Sequence, residues 1–337
     1  MTLSQLINIY LPAIETELRE VVARVQGHGL EELHTMMAYH LGWEGEGAGP
    51  KATGKRIRPI LVLLSTQAAG GKWKKALPGA AAVELIHNFS LIHDDIEDNS
   101  PLRRGRPTLW IQWGIPLGIN TGDAMFTLAH LALLRLEETA TTEITLQAVK
   151  VLQNTCLQLT QGQHLDISYE NEKTLPIEAY WPMVSGKTAA LLAACTEIGA
   201  LVADVDTQKR DAYQRFGRDL GLAFQALDDI LGIWGDAAKI GKSNASDLVA
   251  GKKSLPVLYG LSQNGVFAQR WHAGPITANE VLTLAEQLEA EGARDYTQKE
   301  ADRLTESALN ALEQAQPQGE AGQALRQLAN KLLQREV

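Results

Sequence analysis

Apolar positions recur at helical spacing along almost the whole chain. Leu3, Leu6, Ile7, Tyr10, Leu11, Ile14 and Leu18 mark an opening amphipathic helix, with Pro12 as a candidate kink. The same periodicity predicts helices over 30–41, 76–93, 120–136, 144–166, 181–201 and 208–235. Beyond residue 255 it resumes, with Thr277 and Asn279 as start signals and further helices over 293–312 and 319–333. No convincing strand alternation, internal repeat or long low-complexity linker interrupts the pattern. The reading is all-α: one domain spanning 1–337, a helical bundle with a deep cavity between helices. Residues 42–54, GWEGEGAGPKATG, read as a flexible glycine-rich connection.

One stretch breaks the apolar rhythm with chemistry. In LIHNFSLIHDDIEDNSPLRRGRPT (85–108), Asp94, Asp95 and Asp98 fall within five positions, and Arg103, Arg104 and Arg106 follow on a turn. Asp94 and Asp98 lie one helical turn apart on the same face, so they repel unless a cation sits between them. Carboxylates beside arginines suit divalent metal bridged to a phosphorylated ligand, with guanidinium groups holding the rest of the phosphate charge. A plain polar helix end, capped by Asp98 or Asn99, is the competing account. It weakens because Asp228 and Asp229 repeat the arrangement in GLAFQALDDILGIWGDAAKIGK (221–242). Acidic side chains on largely apolar helices are expensive unless paired or metal-bound, and two such pairs imply a shared metal site.

Composition narrows the ligand. The 337 residues carry a net charge of -9 and a pI near 5.5, which disfavours general nucleic-acid binding. Cys156 and Cys195 stand far apart with no CxxC, so neither a structural zinc nor a disulfide framework is indicated, and a reduced cytoplasmic setting is compatible. No signal peptide and no membrane span are read. Against the acidic background, the basic clusters stand out. GKRIRP (54–59) places Lys55, Arg56 and Arg58 before an apolar run; an anion site and a solvated charge cluster fit it equally. His87 faces the same way as Asp94 or sits satisfied in the core. His34 and His40 read as ordinary helix positions. Lys187 is a phosphate partner or a snorkelling lysine. Lys239, Lys242, Lys252 and Lys253, on a glycine-containing loop, could close over a charged ligand as a lid.

Taken together and in order, GKRIRP, HNFSLIHDDIEDNSPLRRGRPT, GDAMF, QGQHLD, GKTA, FQALDDILG and SDLVAGKKSLP resemble the trans-isoprenyl diphosphate synthases, the polyprenyl synthetase family. The resemblance covers nearly the whole chain. It implies a homodimeric helical fold of the isoprenoid synthase type, with aspartate-rich motifs facing across a central cavity. It implies joining of an allylic diphosphate to isopentenyl diphosphate with three Mg²⁺ ions, and a lipid-like product that brings the protein near membranes. Residue by residue, Asp94, Asp95, Asp98 and Asp228 resemble the metal ligands, with Asp229 in support. Lys55, Arg58, His87 and Arg104 resemble the isopentenyl diphosphate site. Arg103, Lys187, Lys242 and Lys252 resemble the groups holding the allylic diphosphate, and Thr188 and Gln225 resemble partners near the reacting carbons.

One position departs from the family. Its second motif usually reads DDxxD, and here the last place is Gly232; Asp236 is a candidate substitute, and third-metal affinity is the property at stake. An aromatic five residues before the first motif, here Phe89, resembles the floor of short-chain synthases. Ser90 leaves room, so a C20 product is favoured and C15 comes next, with Met125 able to reset the depth. Ordinary core packing is the other account of Phe89. Two further readings remain: a class I terpene cyclase, and a non-catalytic partner subunit of a synthase.

Overall fold

Helix α1 (Leu3–Val22) opens on a capping box, in which Thr2 and Gln5 satisfy each other's backbone donors, and it continues through Pro12 without a break. The computed structural model describes residues 1–170, 172–235 and 246–333. Lys242, Lys239 and Asp236 lie outside the described residues. After α2 (Glu31–His40) come α3 (Ile57–Ala68), α4 (Leu77–Glu97) and α5 (Ile115–Leu134). Next are α6 (Thr142–Glu170), α7 (Ala190–Val202), α8 (Thr207–Trp234) and α9 (Leu255–Ser262). The chain ends in α10 (Val281–Ala290), α11 (Ala293–Gln314) and α12 (Gly319–Leu333).

These helices belong to two compact units. The first comprises Met1–Gln153, Ala194–Asp211 and Gln316–Leu325; the second takes Asn154–Ala193, Ala212–Ala315 and the chain from Arg326 on. In the first unit, α4 packs against α1, α3 and α5, burying Tyr10, Ile14, Leu61, Leu85, Ile86 and Met125. Each such side chain contributes about 2 kcal/mol when withdrawn from water. The second unit closes around Tyr180, Leu227, Ile230, Leu255, Leu258, Phe267 and Leu288.

Three local features differ from the periodicity reading. Residues 102–107 form a minimal antiparallel hairpin, Leu102 opposite Pro107 and Arg103 opposite Arg106. Its two turn residues, Arg104 and Gly105, both have positive φ (53° and 75°), as a tight hairpin of this hand demands. The glycine-rich segment 42–54 is tied down. Arg106 threads it, donating to the carbonyls of Glu46 (2.8 Å), Tyr39 (2.7 Å) and Glu44 (2.6 Å), with its guanidinium 3.8 Å from the centre of the Tyr39 ring. A Cβ at Gly45, whose φ is +82°, would lie 2.7 Å from the Tyr39 ring and 3.0 Å from Arg106 Nη2, so a side chain there would collide. The predicted helix over 181–201 is also divided: Tyr180–Val184, then a π turn at Ser185–Ala189, then α7.

Candidate active site

In the first unit, α4 ends among the aspartates. Asp98 is its C-terminal cap residue, its N–H bonded to the Asp94 carbonyl at 2.8 Å, so the polar-end account is correct for the Asp98 backbone. The three carboxylates part company by environment: Asp94 is half-buried, Asp98 exposed and Asp95 buried. Asp95 is gripped by Arg103, whose Nε donates to both carboxylate oxygens at 2.8 Å and whose Nη2 lies 2.7 Å from Oδ1. Burial nevertheless pushes the Asp95 carboxyl above its ordinary range, with Arg103 pulling it back.

The three cations of GKRIRP separate cleanly. Arg56 is structural: buried and in a left-handed conformation, it bonds Glu15 (2.7 Å), Glu84 (2.9 Å) and the Leu41 carbonyl (3.2 Å). Lys55 is exposed. Arg58 is half-buried, and its enclosed Nε has no hydrogen-bond partner among the described residues. Burial lowers the Arg58 pKa, so holding the charge there is unfavourable without an anion. Arg104 crosses beside Gly54, donating to the Ala52 carbonyl at 2.8 Å. A Cβ at Gly54 would fall 2.8 Å from its Cζ, so the glycine of the motif is the passage for this guanidinium.

His87 and His40 lie in the field of these arginines. Burial, then Arg58, Arg104 and Arg103, hold the His87 imidazole well below its usual pKa, and it stays neutral. His40 is depressed in the same way, first by burial and then by Arg104, Arg103, Arg56 and Arg106, and its enclosed Nε2 has no partner among the described residues. His40 lines a small cavity with Asp95, Arg103 and Arg104. That environment differs from an ordinary helix position, and no spacing in the sequence signals it.

Phe89 stands edge-on to His93 and to Phe126, each ring pair 5.0 Å apart, and Phe126 continues to His130 at 4.4 Å. Met125, the residue before Phe126, is fully buried. Ser90 turns its hydroxyl to the His87 carbonyl at 2.9 Å.

The second unit assembles its residues around two glycines. A Cβ at Gly162 would lie 2.2 Å from the Lys187 nitrogen, and one at Gly186 would lie 2.5 Å from the Gln158 carbonyl oxygen. Backbone therefore meets backbone where α6 crosses the π turn, and the turn presents Lys187 and Thr188. Lys187 forms an ion pair with Asp166. Thr188 donates to Gln225 Oε1 (2.9 Å), Gln225 Nε2 to Asp229 Oδ1 (2.9 Å), and the Leu255 N–H to Asp229 Oδ2 (2.9 Å). Asp229 is thus buried and engaged at both oxygens, and burial lifts its pKa to about 7. Asp228, one residue earlier on α8, is exposed. Lys252 is exposed, whereas Lys253 lies 5.1 Å from the Trp271 ring centre. A cavity of about 780 Å³ in this unit lies between α6, the π turn and α8, but none of the predicted site residues lines it.

Among the described residues, no three of His, Cys, Asp and Glu converge so as to hold a metal ion by themselves. The donor set suits a different mode. Mg²⁺ keeps waters and binds through one or two carboxylates plus substrate phosphates, and Asp94 with Asp98, or Asp228, offers that many. Asp95 is held by Arg103 at both carboxylate oxygens, and Asp229 by Gln225 and the Leu255 N–H.

Residues 49–275 match the polyprenyl synthetase family model. The chain is 36% identical over 334 residues to a (2E,6E)-farnesyl diphosphate synthase of Mycobacterium tuberculosis, covering 96% of this chain and 91% of that one. A geranylgeranyl diphosphate synthase of the same organism is 39% identical over 293 residues, covering 85% and 83%. A polyprenyl synthetase structure from Streptomyces coelicolor superposes with a TM-score of 0.88 at 35% identity, covering 98% of this chain and 99% of that one. The chain therefore belongs to the polyprenyl synthetase family. Its fold is the all-α helical bundle of the isoprenoid synthases, and it is a trans-prenyltransferase of the short-chain, head-to-tail type. The cyclase and non-catalytic readings give way to that assignment.

Proposed function

We propose that residues 1–337 act as one synthase domain, joining isopentenyl diphosphate to an allylic diphosphate to give a short-chain trans-prenyl diphosphate and pyrophosphate. The observation that carries this reading is Arg58: an enclosed guanidinium nitrogen without a hydrogen-bond partner among the described residues, beside a neutral His87, calls for an anion. A diphosphate supplies it. Lys55, Arg58, His87 and Arg104 hold the isopentenyl diphosphate in fixed orientation, and His87 contributes a hydrogen-bonding group without adding charge. Arg103, Lys187 and Lys252, with Lys242, take the allylic diphosphate. Lys187 and Arg103 exchange the carboxylates they now hold for phosphate oxygens.

Asp94, Asp98 and Asp228 are the residues to hold Mg²⁺, with Asp95 and Asp229 supporting from their hydrogen-bonded positions. When bound, the metal neutralises charge developing on the leaving pyrophosphate. The chain's own part is to place the isopentenyl double bond against the allylic carbon, so that once the C–O bond breaks and pyrophosphate leaves, the double bond attacks the allylic cation and forms the new C–C bond. Apolar walls keep water from the cation, and pyrophosphate accepts the proton released. The Thr188–Gln225–Asp229 chain fixes the Gln225 amide beside this chemistry.

A homodimer belongs to the same reading. In the first unit, Ile115, Leu117, Ile119, Leu131 and Leu134 of α5 are each more than 40% exposed, a density of apolar surface that a partner would cover. No described helix is long and apolar enough to cross a membrane, and a cytoplasmic setting is part of the proposal.

The deciding experiment supplies purified protein and Mg²⁺ with isopentenyl diphosphate and, separately, dimethylallyl, geranyl and farnesyl diphosphates, sizing products by mass spectrometry. A predominant C20 product is expected, with Phe89→Ala giving longer chains. No consumption of isopentenyl diphosphate in any mixture would overturn the proposal; unchanged products from Phe89→Ala would move the floor elsewhere.

A further inference from the structure

Gly232 stands one helical turn beyond Asp228, on the same face of α8, where the family's motif carries its last aspartate. The space beside it is occupied. A Cβ at residue 232 would lie 2.1 Å from Asp247 Oδ2 and 2.9 Å from its Cγ. Non-bonded heavy atoms settle near 3.5–4.0 Å, so a side chain at 232 and Asp247 in its present position exclude each other.

Asp247 arrives from the single helical turn Ser246–Val249. Its carbonyl accepts the Lys252 N–H at 3.0 Å, and its Oδ1 lies 3.7 Å from Lys252 Nζ. The Asp247 side chain is 17% exposed against 60% for Lys252, so the carboxylate is the anchored partner and the ammonium the presented one. Gly232 and the Lys252 ammonium therefore face different oxygens of the same carboxylate.

We propose that Gly232 and Asp247 work as one unit: the glycine vacates the last place of the acidic motif, and Asp247 fills it with a carboxylate from outside the helix. That carboxylate sets where Lys252 presents its ammonium. Asp247 is a positioning residue, acting through Lys252. This rests on the proposed function, in which Lys252 meets the allylic diphosphate. A consequence runs against the family pattern: restoring aspartate at 232 drives two carboxylates into one place and displaces Asp247, so the change is harmful.

The test measures binding of inorganic pyrophosphate with Mg²⁺ by titration calorimetry, and KM for the allylic diphosphate, in Gly232→Asp, Asp247→Ala and the double variant. Each single change is expected to weaken pyrophosphate binding and raise KM by about tenfold, the scale of one charge-assisted contact. The double variant is expected to recover most of the loss, because the new aspartate then has room. Wild-type behaviour of Gly232→Asp, or a double variant whose loss is the product of the two single losses, would overturn the proposal. If Gly232→Asp does not fold, Asp247→Asn decides: tenfold weaker pyrophosphate binding at an unchanged melting temperature supports it, and unchanged binding refutes it. Wild-type protein that binds pyrophosphate yet consumes no isopentenyl diphosphate would remove the proposed function alone, leaving this comparison readable.

Discussion

Arg58 carries its charge into a place where the enclosed Nε meets no partner among the described residues, while Arg56, two positions earlier, is held by two carboxylates and a carbonyl. Their stability effects should therefore have opposite signs. Arg58→Ala is expected to leave the ligand-free protein as stable as wild type, or about 1 kcal/mol more stable, while raising KM for isopentenyl diphosphate on the order of a hundredfold. Arg56→Ala should destabilise by about 3 kcal/mol, since it strands buried Glu84. Urea denaturation and steady-state kinetics on both variants separate the roles; a large stability loss in Arg58→Ala would make it structural. Asp229 gives a pH signature. Its folded carboxyl holds a proton up to about pH 7, whereas an unfolded aspartate releases it near 3.8. Between those values the folded state binds more protons, so this group makes stability fall as pH rises, by roughly 1.4 kcal/mol per unit at most. In metal-free protein the difference between wild type and Asp229→Asn should grow across that window and level off above it. A difference independent of pH would contradict the raised pKa.

At the scale of elements, the π turn at Ser185–Ala189 shows how a glycine pair sets the course of the backbone. Gly162 and Gly186 let α6 and the turn touch through backbone, and this aims Lys187 and Thr188 while leaving Thr188 in reach of Gln225. Gly186→Ala puts a methyl 2.5 Å from the Gln158 oxygen. Overpacking of this kind should cost about 2 kcal/mol in urea unfolding and lower activity with it. Normal activity at normal stability would mean that the turn tolerates repacking. The motif GKTA was visible in the chain, but the π register was not, because helical periodicity does not reveal a contact with residue 162 across the fold. The glycine-rich stretch 42–54 taught the same point. Its composition suggested freedom, yet one buried arginine, Arg106, fastens three of its neighbouring carbonyls.

For the whole molecule, the proposed homodimer would draw on the exposed apolar residues of α5. Ile119 and Leu131 are each 42% exposed on that helix, and covering exposed apolar surface is favourable by about 25 cal/mol per Å². Wild type is expected to sediment as a dimer, and Ile119→Glu with Leu131→Glu to shift it towards monomer. A monomeric wild type, or a doubly substituted dimer, would place the interface elsewhere.

Much of this was written in the chain itself. Helical periodicity predicted the all-α class and most helix positions, because burying one face of each helix is a local pattern constraint. The ordered motifs, with their unusual density of charge beside apolar runs, identified the family and the residues that carry it. Tertiary structure decided how neighbours in one motif divide their work. Asp95 and Asp229 turn inward to Arg103, Gln225 and Leu255, and Arg56 is structural where Arg58 is not. It also brought His40 among the arginines, set Phe126 against Phe89, and placed Asp247 against Gly232. Those pairings join residues whose environments depend on which backbone happens to pass beside them, and that is settled only when the helices pack.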